Sequence, residues 1–387
     1  MKLNELNIDR TNWNKVQLGE LADEISQRVD NPSESEYERF VGLEHFVSGD
    51  LKIKVWAHTD NLVSSAKAFK TGDILFARRN AYLRRASLVN FAGICSGDAF
   101  VLRENHEKVV PGFLAFVLNS EKLWDYANAN AAGTMSKRVK WRDLARYEFL
   151  LPPIDQQSQL ADLLWAADNV VEKYQLLSNE IIDTYQYFIE LQYHLTNSFK
   201  PLSEICDINK ETLSSKTPPD YTFQYLDIAS IIDPKVIGKL KSMTFKDSPS
   251  RARRIVKNGN LVLSLVRPYF QSFVIIEDAE NIIASTGTAV LSVNDIYDRY
   301  YIFHLLFSKK FLEYCEERMM GTNYPAITPN DVKEYKIPIS PLIKQKEIGL
   351  RLQELDKTDK EIKKLRVDAK RILNVLINQI FKEQYHL

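Results

Sequence analysis

A chain that repeats itself must fold twice in a similar way, and this chain does. The stretch Phe113-Leu114-Ala115-Phe116-Val117-Leu118-Asn119-Ser120-Glu121-Lys122-Leu123 matches Tyr301-Ile302-Phe303-His304-Leu305-Leu306-Phe307-Ser308-Lys309-Lys310-Phe311 at an offset of 188. The same offset carries Gly133-Thr134 onto Gly321-Thr322, Pro153-Ile154 onto Pro341-Leu342, and Gln157 onto Gln345. Upstream the register drifts, as loop insertions require: Gly72-Asp73-Ile74-Leu75-Phe76 matches Gly259-Asn260-Leu261-Val262-Leu263 at 187, and Leu18-Gly19-Glu20-Leu21 matches Leu202-Ser203-Glu204-Ile205 at 184. Self-similarity at a fixed period marks a duplicated architecture, so fold and function are read per copy.

Each copy runs from a globular part of mixed structure into a long helix. Asp73-Ile74-Leu75-Phe76-Ala77 and Asn260-Leu261-Val262-Leu263-Ser264 read as buried strands, and the segments Phe113 to Tyr126 and Tyr301 to Arg318 read as helices. The expected class is α+β. From Ile154 the apolar positions step by four and three through Leu160, Leu164, Ala167, Val171 and Tyr174, then after Ser178 through Ile181, Tyr185 and Phe188, and after Gln192 to Leu195. The second copy follows with Ile348, Leu352, Leu355, Asp359, Ile362, Arg366, Ala369, Leu373, Leu376 and Ile380. That spacing is a heptad seam, with Pro153 and Pro341 closing the preceding segments and Asp155 available near the first helix start. A helix of roughly 43 residues spans about 65 Å, more than a compact domain needs. A homodimeric coiled coil is one use for such helices; the duplication favours pairing within the chain, antiparallel, with Asp359 and Arg366 as polar positions that fix register. The expected layout is a first globular domain over 1–153, a helix over 154–197, a second globular domain over 198–341 and a second helix over 342–387.

Composition bounds the chemistry. Lys plus Arg and Asp plus Glu both total 51, so net charge indicates no nucleic-acid partner, but local clusters do. Arg78, Arg79, Arg84 and Arg85 fall in an acid-free stretch, and Lys246, Arg251, Arg253, Arg254 and Lys257 form a second group interrupted only by Asp247. Cys95, Cys206 and Cys315 have no metal or disulfide spacing and read as small buried residues; the six histidines, His45, His58, His106, His194, His304 and His386, show no paired metal spacing. No apolar run is long enough to span a bilayer and the opening MKLNELNIDR lacks a secretion signal's apolar core, so a cytoplasmic location is expected. There is neither an Asn/Asp-Pro-Pro-aromatic motif of adenine methyltransferases nor a phosphate-binding P-loop, and Arg267-Pro268-Tyr269-Phe270 only echoes the former. The chain is expected to be non-catalytic by itself, with no catalytic residue and no metal.

These features resemble the specificity subunits of type I restriction-modification enzymes. Gly133-Thr134 through Leu151-Pro152-Pro153-Ile154-Asp155-Gln156-Gln157, and Gly321-Thr322 through Ile337-Pro338-Ile339-Ser340-Pro341-Leu342-Ile343-Lys344-Gln345, are similar to the end of a target-recognition domain passing into a spacer helix. Trp13-Asn14-Lys15-Val16-Gln17-Leu18-Gly19-Glu20-Leu21 is similar to the start of such a domain. The resemblance implies two target-recognition domains separated by two long antiparallel coiled-coil helices, each domain reading one half of an asymmetric, two-part double-stranded DNA target. It also implies two partner methyltransferase subunits, which would hold S-adenosylmethionine and methylate adenine, and restriction subunits with helicase and nuclease activity; this chain would bind no cofactor directly. The second copy departs in carrying Ile339-Ser340-Pro341 and Lys344 where the first has Leu151-Pro152-Pro153 and Gln156. The competing class is a non-catalytic protein-binding adaptor on a coiled-coil rod.

Candidate DNA contacts follow from donor chemistry, since phosphates need cations or hydrogen-bond donors and base edges favour Arg, Asn and Gln. In the first copy the loop after the strand offers Arg78, Arg79, Asn80, Tyr82, Arg84 and Arg85; its counterpart offers Arg267, Tyr269 and Gln271. The stretch after the shared Gly-Thr adds Lys137, Arg138 and Lys140 in one copy and Asn323 and Tyr324 in the other, with a helix-capping turn before Asp143 or Asp331 as the alternative use. Arg251, Arg253, Arg254 and Lys257 read as phosphate-positioning cations.

Overall fold

The computed structural model describes residues 8–233, 235–278 and 280–382; His386 lies outside them. The chain divides into two compact units, residues 1–175 with 364–387, and residues 176–363. Each unit therefore holds one globular part and a portion of both long helices. Helix Ile154–Leu195 begins in the first unit and ends in the second, and helix Leu342–Ile380 does the reverse.

The two units share a sheet plan. In the first, an antiparallel sheet runs in the order Ala22–Ile25, Ala99–Glu104, Ile74–Ala77, Ala86–Leu88; in the second the order is Cys206–Ile208, Thr288–Val293, Leu261–Ser264, Phe273–Ile275. Ile74–Ala77 and Leu261–Ser264 are buried at every position, which is why they read as unbroken apolar runs rather than alternating ones. A second sheet in each unit contains one parallel pair, Arg39–Val41 with Gly93–Cys95 and Thr222–Leu226 with Ile282–Ser285. Cys95, Cys206 and Cys315 are free and buried, as their scattered spacing suggested.

The helical stretches after the sheets each break once, at a serine. Ser120 accepts a hydrogen bond from the Leu123 amide and Ser308 from the Phe311 amide, so each copy has a short helix, a cap and a second helix rather than one continuous helix. Gln157 and Gln345 show what the repeat preserves at the entry to the long helices. Both are buried; Gln157 accepts from the Val110 amide and donates to Pro152, while Gln345 accepts from the Asp298 amide and donates to Ser340. Each amide side chain locks its helix start to the globular part.

Along the first long helix Leu164, Val171, Ser178, Tyr185 and Gln192 are buried, in the heptad step read from sequence. The alternate positions fall one residue later than expected, at Ala161, Asp168 and Ile189 in place of Leu160, Ala167 and Phe188, and Leu195 is exposed. The helix packs on its globular part as well as on the other helix, so its covered stripe is wider than a two-helix seam. In the second unit Ser178 donates to Asp359 at 2.6 Å, while Tyr185 and Asp356 meet through Lys235, an antiparallel pairing. Asp359 is thus satisfied across the helices; the Arg366 Nε is buried without a hydrogen-bond partner. No described helix is long and apolar enough to cross a membrane.

Candidate nucleic-acid interface

The loops that follow the two central strands share an unusual backbone. Asn80 (φ +55°) and Arg84 (φ +50°) bracket the single 3-10 turn Ala81–Leu83, and Arg267 (φ +48°) and Gln271 (φ +49°) bracket Pro268–Phe270. Four non-glycine residues in left-handed conformation at repeat-equivalent places hold strain that the surrounding structure has to support, a pattern that concentrates at functional sites. The offset of 187 that pairs the strands also pairs the loops: Arg267 occupies the place of Asn80, and Leu265 and Val266 stand where the first copy has Arg78 and Arg79.

The stretches after Gly133 and Gly321, read above as separate candidates, join these loops through main-chain bridges. The Asn80 amide donates to Lys137 and the Val139 amide to Arg78; in the second unit the Arg267 amide donates to Pro325 and the Ile327 amide to Leu265. Each returning segment folds on itself, Ala132 bridging Arg138 and Met320 bridging Ala326. Gly133 (φ +126°) and Gly321 (φ +99°) make the turn, where a Cβ would lie 3.2 Å from the Ser136 carbonyl and 3.3 Å from that of Tyr324. One surface per unit results, built from two loops far apart in sequence.

On this common frame the side chains differ. In the first unit Asp98 gathers three cations: Arg138 reaches it with Nε at 2.8 Å and Nη2 at 3.2 Å, Arg78 lies at 3.7 Å and Arg79 at 3.8 Å. The hydrogen bonds from Arg138 hold the Asp98 carboxyl below the usual carboxylate range, and Arg138 is raised in turn. Arg79 also donates to Ser136 at 3.0 Å. One carboxylate against three guanidinium groups leaves a local surplus of positive charge with fixed geometry. Tyr82 is exposed, and Arg84, Lys137 and Lys140 are exposed with no ion pair among the described residues. Arg85 turns inward, donating to Leu43 at 2.9 Å and to Arg79 at 3.2 Å, and burial pulls its pKa down; it braces the loop.

In the second unit Gly287 takes the place of Asp98, its carbonyl accepting from Leu265 as that of Asp98 accepts from Arg78. An open groove of about 700 Å³ lies there, with Ile228, Val266, Phe270, Arg251, Arg267 and Tyr324 among its lining residues. Arg267 donates to the Asn323 carbonyl at 2.9 Å and lies over the Tyr324 ring at 4.9 Å. Tyr269 is exposed, and Gln271 is half-buried and lines a separate cavity with Tyr185, Lys235 and Asp356, away from this groove. The basic run 251–257 does not act as one patch. Arg251 lines the groove, Arg253 covers the Phe245 ring, Arg254 is half-buried with its Nε unpartnered, and Lys257 pairs with Glu211 at the far end of the strand. Alternation along strand Ala252–Val256 and a bulge at its start send these cations in different directions.

The capping turn proposed as an alternative exists beside the second surface: Thr328 and Asp331 form a capping box for Pro329–Glu334, just past Asn323 and Tyr324. Sequence reasoning missed Asp98 and the groove. The signal for Asp98 lay in strand pairing, since Ala77 registers with Ala99 and brings residue 98 against the arginine loop. Among the described residues no group of three or more His, Cys, Asp or Glu is placed to hold a metal.

The chain is similar to known DNA-specificity proteins. Residues 195–370 match the model of the type I restriction modification DNA specificity domain. The chain is 23% identical over 340 residues to the putative type I restriction enzyme MjaX specificity subunit of Methanocaldococcus jannaschii, covering 79% of this chain and 77% of that one. It is 23% identical over 316 residues to the MjaVIII specificity subunit of the same organism, covering 74% and 73%. Its fold resembles the type I restriction-modification S subunit from M. genitalium, with a TM-score of 0.60 and 17% identity over 100% of this chain and 99% of that one. A chain from a study of complex assembly and conformational transition of the type I R-M system has a TM-score of 0.55 and 23% identity, covering 96% and 98%.

Proposed function

We propose that the chain is a type I restriction-modification specificity subunit, as its similarity to that family supports, and that it reads a two-part, asymmetric DNA target, one half with each unit, and directs partner subunits to it. The observation that carries this reading is the pair of bridged-loop surfaces: one backbone frame, built twice, with different side chains. A duplicated frame suits two contacts to one repeating polymer, and differing side chains suit two different base sequences.

In the first unit Arg79 and Arg138, oriented by Ser136 and Asp98, present planar donors of the kind that read base edges, while Arg84, Lys137 and Lys140 supply phosphate contacts. In the second, Arg251, Arg267 and Tyr324 line an apolar groove, with exposed Tyr269 and Asn323 on the same two loops. Methyl transfer to adenine and cleavage belong in this reading to two methyltransferase subunits, which hold S-adenosylmethionine, and to helicase-nuclease subunits. Co-expression with the methyltransferase partner, followed by single-molecule sequencing of the methylated DNA, is expected to return a motif of two unlike halves around a fixed gap. A continuous motif, or no adenine methylation, would sink the proposal.

A further inference from the structure

Each unit contains a lysine-centred bridge that ties its globular part to both long helices. In the first unit Lys52 reaches Asp168 and Glu172, each at 3.0 Å, and lies over the Trp165 ring at 5.0 Å, all three on helix Ile154–Leu195. Lys54 joins Glu172 to Asp50, and Asp50 is held at 2.7 Å by Lys370 of helix Leu342–Ile380. In the second unit Lys235 reaches Asp356 at 2.6 Å on helix Leu342–Ile380 and the Tyr185 hydroxyl at 3.0 Å on helix Ile154–Leu195. Asp168 and Asp356 are repeat equivalents at the offset of 188, and the lysines they hold come from matching connections, one between strands Arg39–Val41 and Ala57–His58 and the other between Thr222–Leu226 and Lys241–Thr244. Lys235 takes up a left-handed backbone, φ +66°, at the place where it makes this contact.

Half-buried ion pairs add little net stability, because desolvation offsets their attraction; their attested use is to fix one arrangement among several. We infer that the two bridges are positioning devices: each fixes the angle at which its recognition domain stands on its helix segments, and together they hold the complex to one gap length. This rests on the two-part reading proposed above. A loosened bridge leaves the base-contacting loops intact, because Lys52, Asp168, Lys235 and Asp356 lie outside both surfaces.

The test uses the full chain with its co-expressed methyltransferase partner, on a DNA library in which both half-sites are constant and the gap varies one base pair at a time. Removing one charge of a pair strands the other, so the variants are paired: Lys52→Met with Asp168→Asn, and Lys235→Met with Asp356→Asn. Lys370→Met cuts the first bridge at a more exposed point, and Lys52→Arg keeps the charge. The paired variants and Lys370→Met are expected to raise methylation at gaps one base pair shorter or longer by about tenfold relative to the native gap, with both half-sites unchanged. Lys52→Arg is expected to keep the single gap. Unchanged gap selectivity in Lys370→Met and in the paired variants overturns the inference. A wild-type motif without a gap overturns the two-part reading instead.

Discussion

The two recognition surfaces share a backbone and differ in chemistry. Where the first unit sets Arg78, Arg79 and Arg138 around Asp98, the second has Leu265, Val266, Ala326 and Gly287, and its cations arrive from other positions, Arg251 and Arg267. The frame is maintained by main-chain bridges and by left-handed residues at matching places, and the main-chain bridges use no side-chain atoms. Duplication can therefore preserve geometry while recognition diverges. The same contrast reaches the core: buried His304 stands at the repeat position of Phe116.

The largest effect that would break this comparison is on the first surface. Replacing Arg79 and Arg138 together with Ala removes two oriented base-edge donors and is expected to cost about 1–3 kcal/mol each at one half-site only, measured by DNA binding with each half-site scrambled in turn. Replacing Arg267 and Tyr324 with Ala should weaken the opposite half-site, by about 1–3 kcal/mol for the guanidinium contact to a base edge. Equal loss at both halves in either variant would contradict separate readers.

How much of this was legible in the sequence follows from where the information lies. The 188 offset, the central strands and the long helices could be read because burial leaves a periodic trace in residue type. The loops around Arg78 and Arg267 were legible as donors after a strand. Their left-handed backbone was not, because nothing in the letters marks Asn80 and Arg267 as positions of positive φ. Asp98, the groove beside Gly287 and the lysine bridges depend on long-range pairing. Lys52 and Lys235 occupy matching connections, but their offset of 183 falls outside the 184, 187 and 188 that align the rest of the repeat.

A smaller contrast concerns acid. Burial pushes the His304 imidazole down to about 3, and Tyr185 bonds its Nδ1 at 2.8 Å. With the folded value depressed, protons bind the unfolded chain first, so stability falls as pH drops from about 6.5 towards 3. At pH 5.5 the cost is roughly 1–2 kcal/mol. His304→Phe, which installs the residue of the first copy, is expected to flatten that pH dependence in thermal melts; an unaltered profile would place the acid sensitivity elsewhere. Smallest of all, Lys137→Ala should weaken binding evenly across DNA sequences and reduce the slope of log affinity against log salt by about 1.

The central claim, two matched surfaces reading unlike half-sites, is tested most directly by single-molecule sequencing of DNA methylated by the complex carrying Arg79→Ala with Arg138→Ala. The account expects one half of the wild-type motif to lose base preference while the other half and the gap stay as they were. Loss of preference in both halves, or in neither, would contradict it.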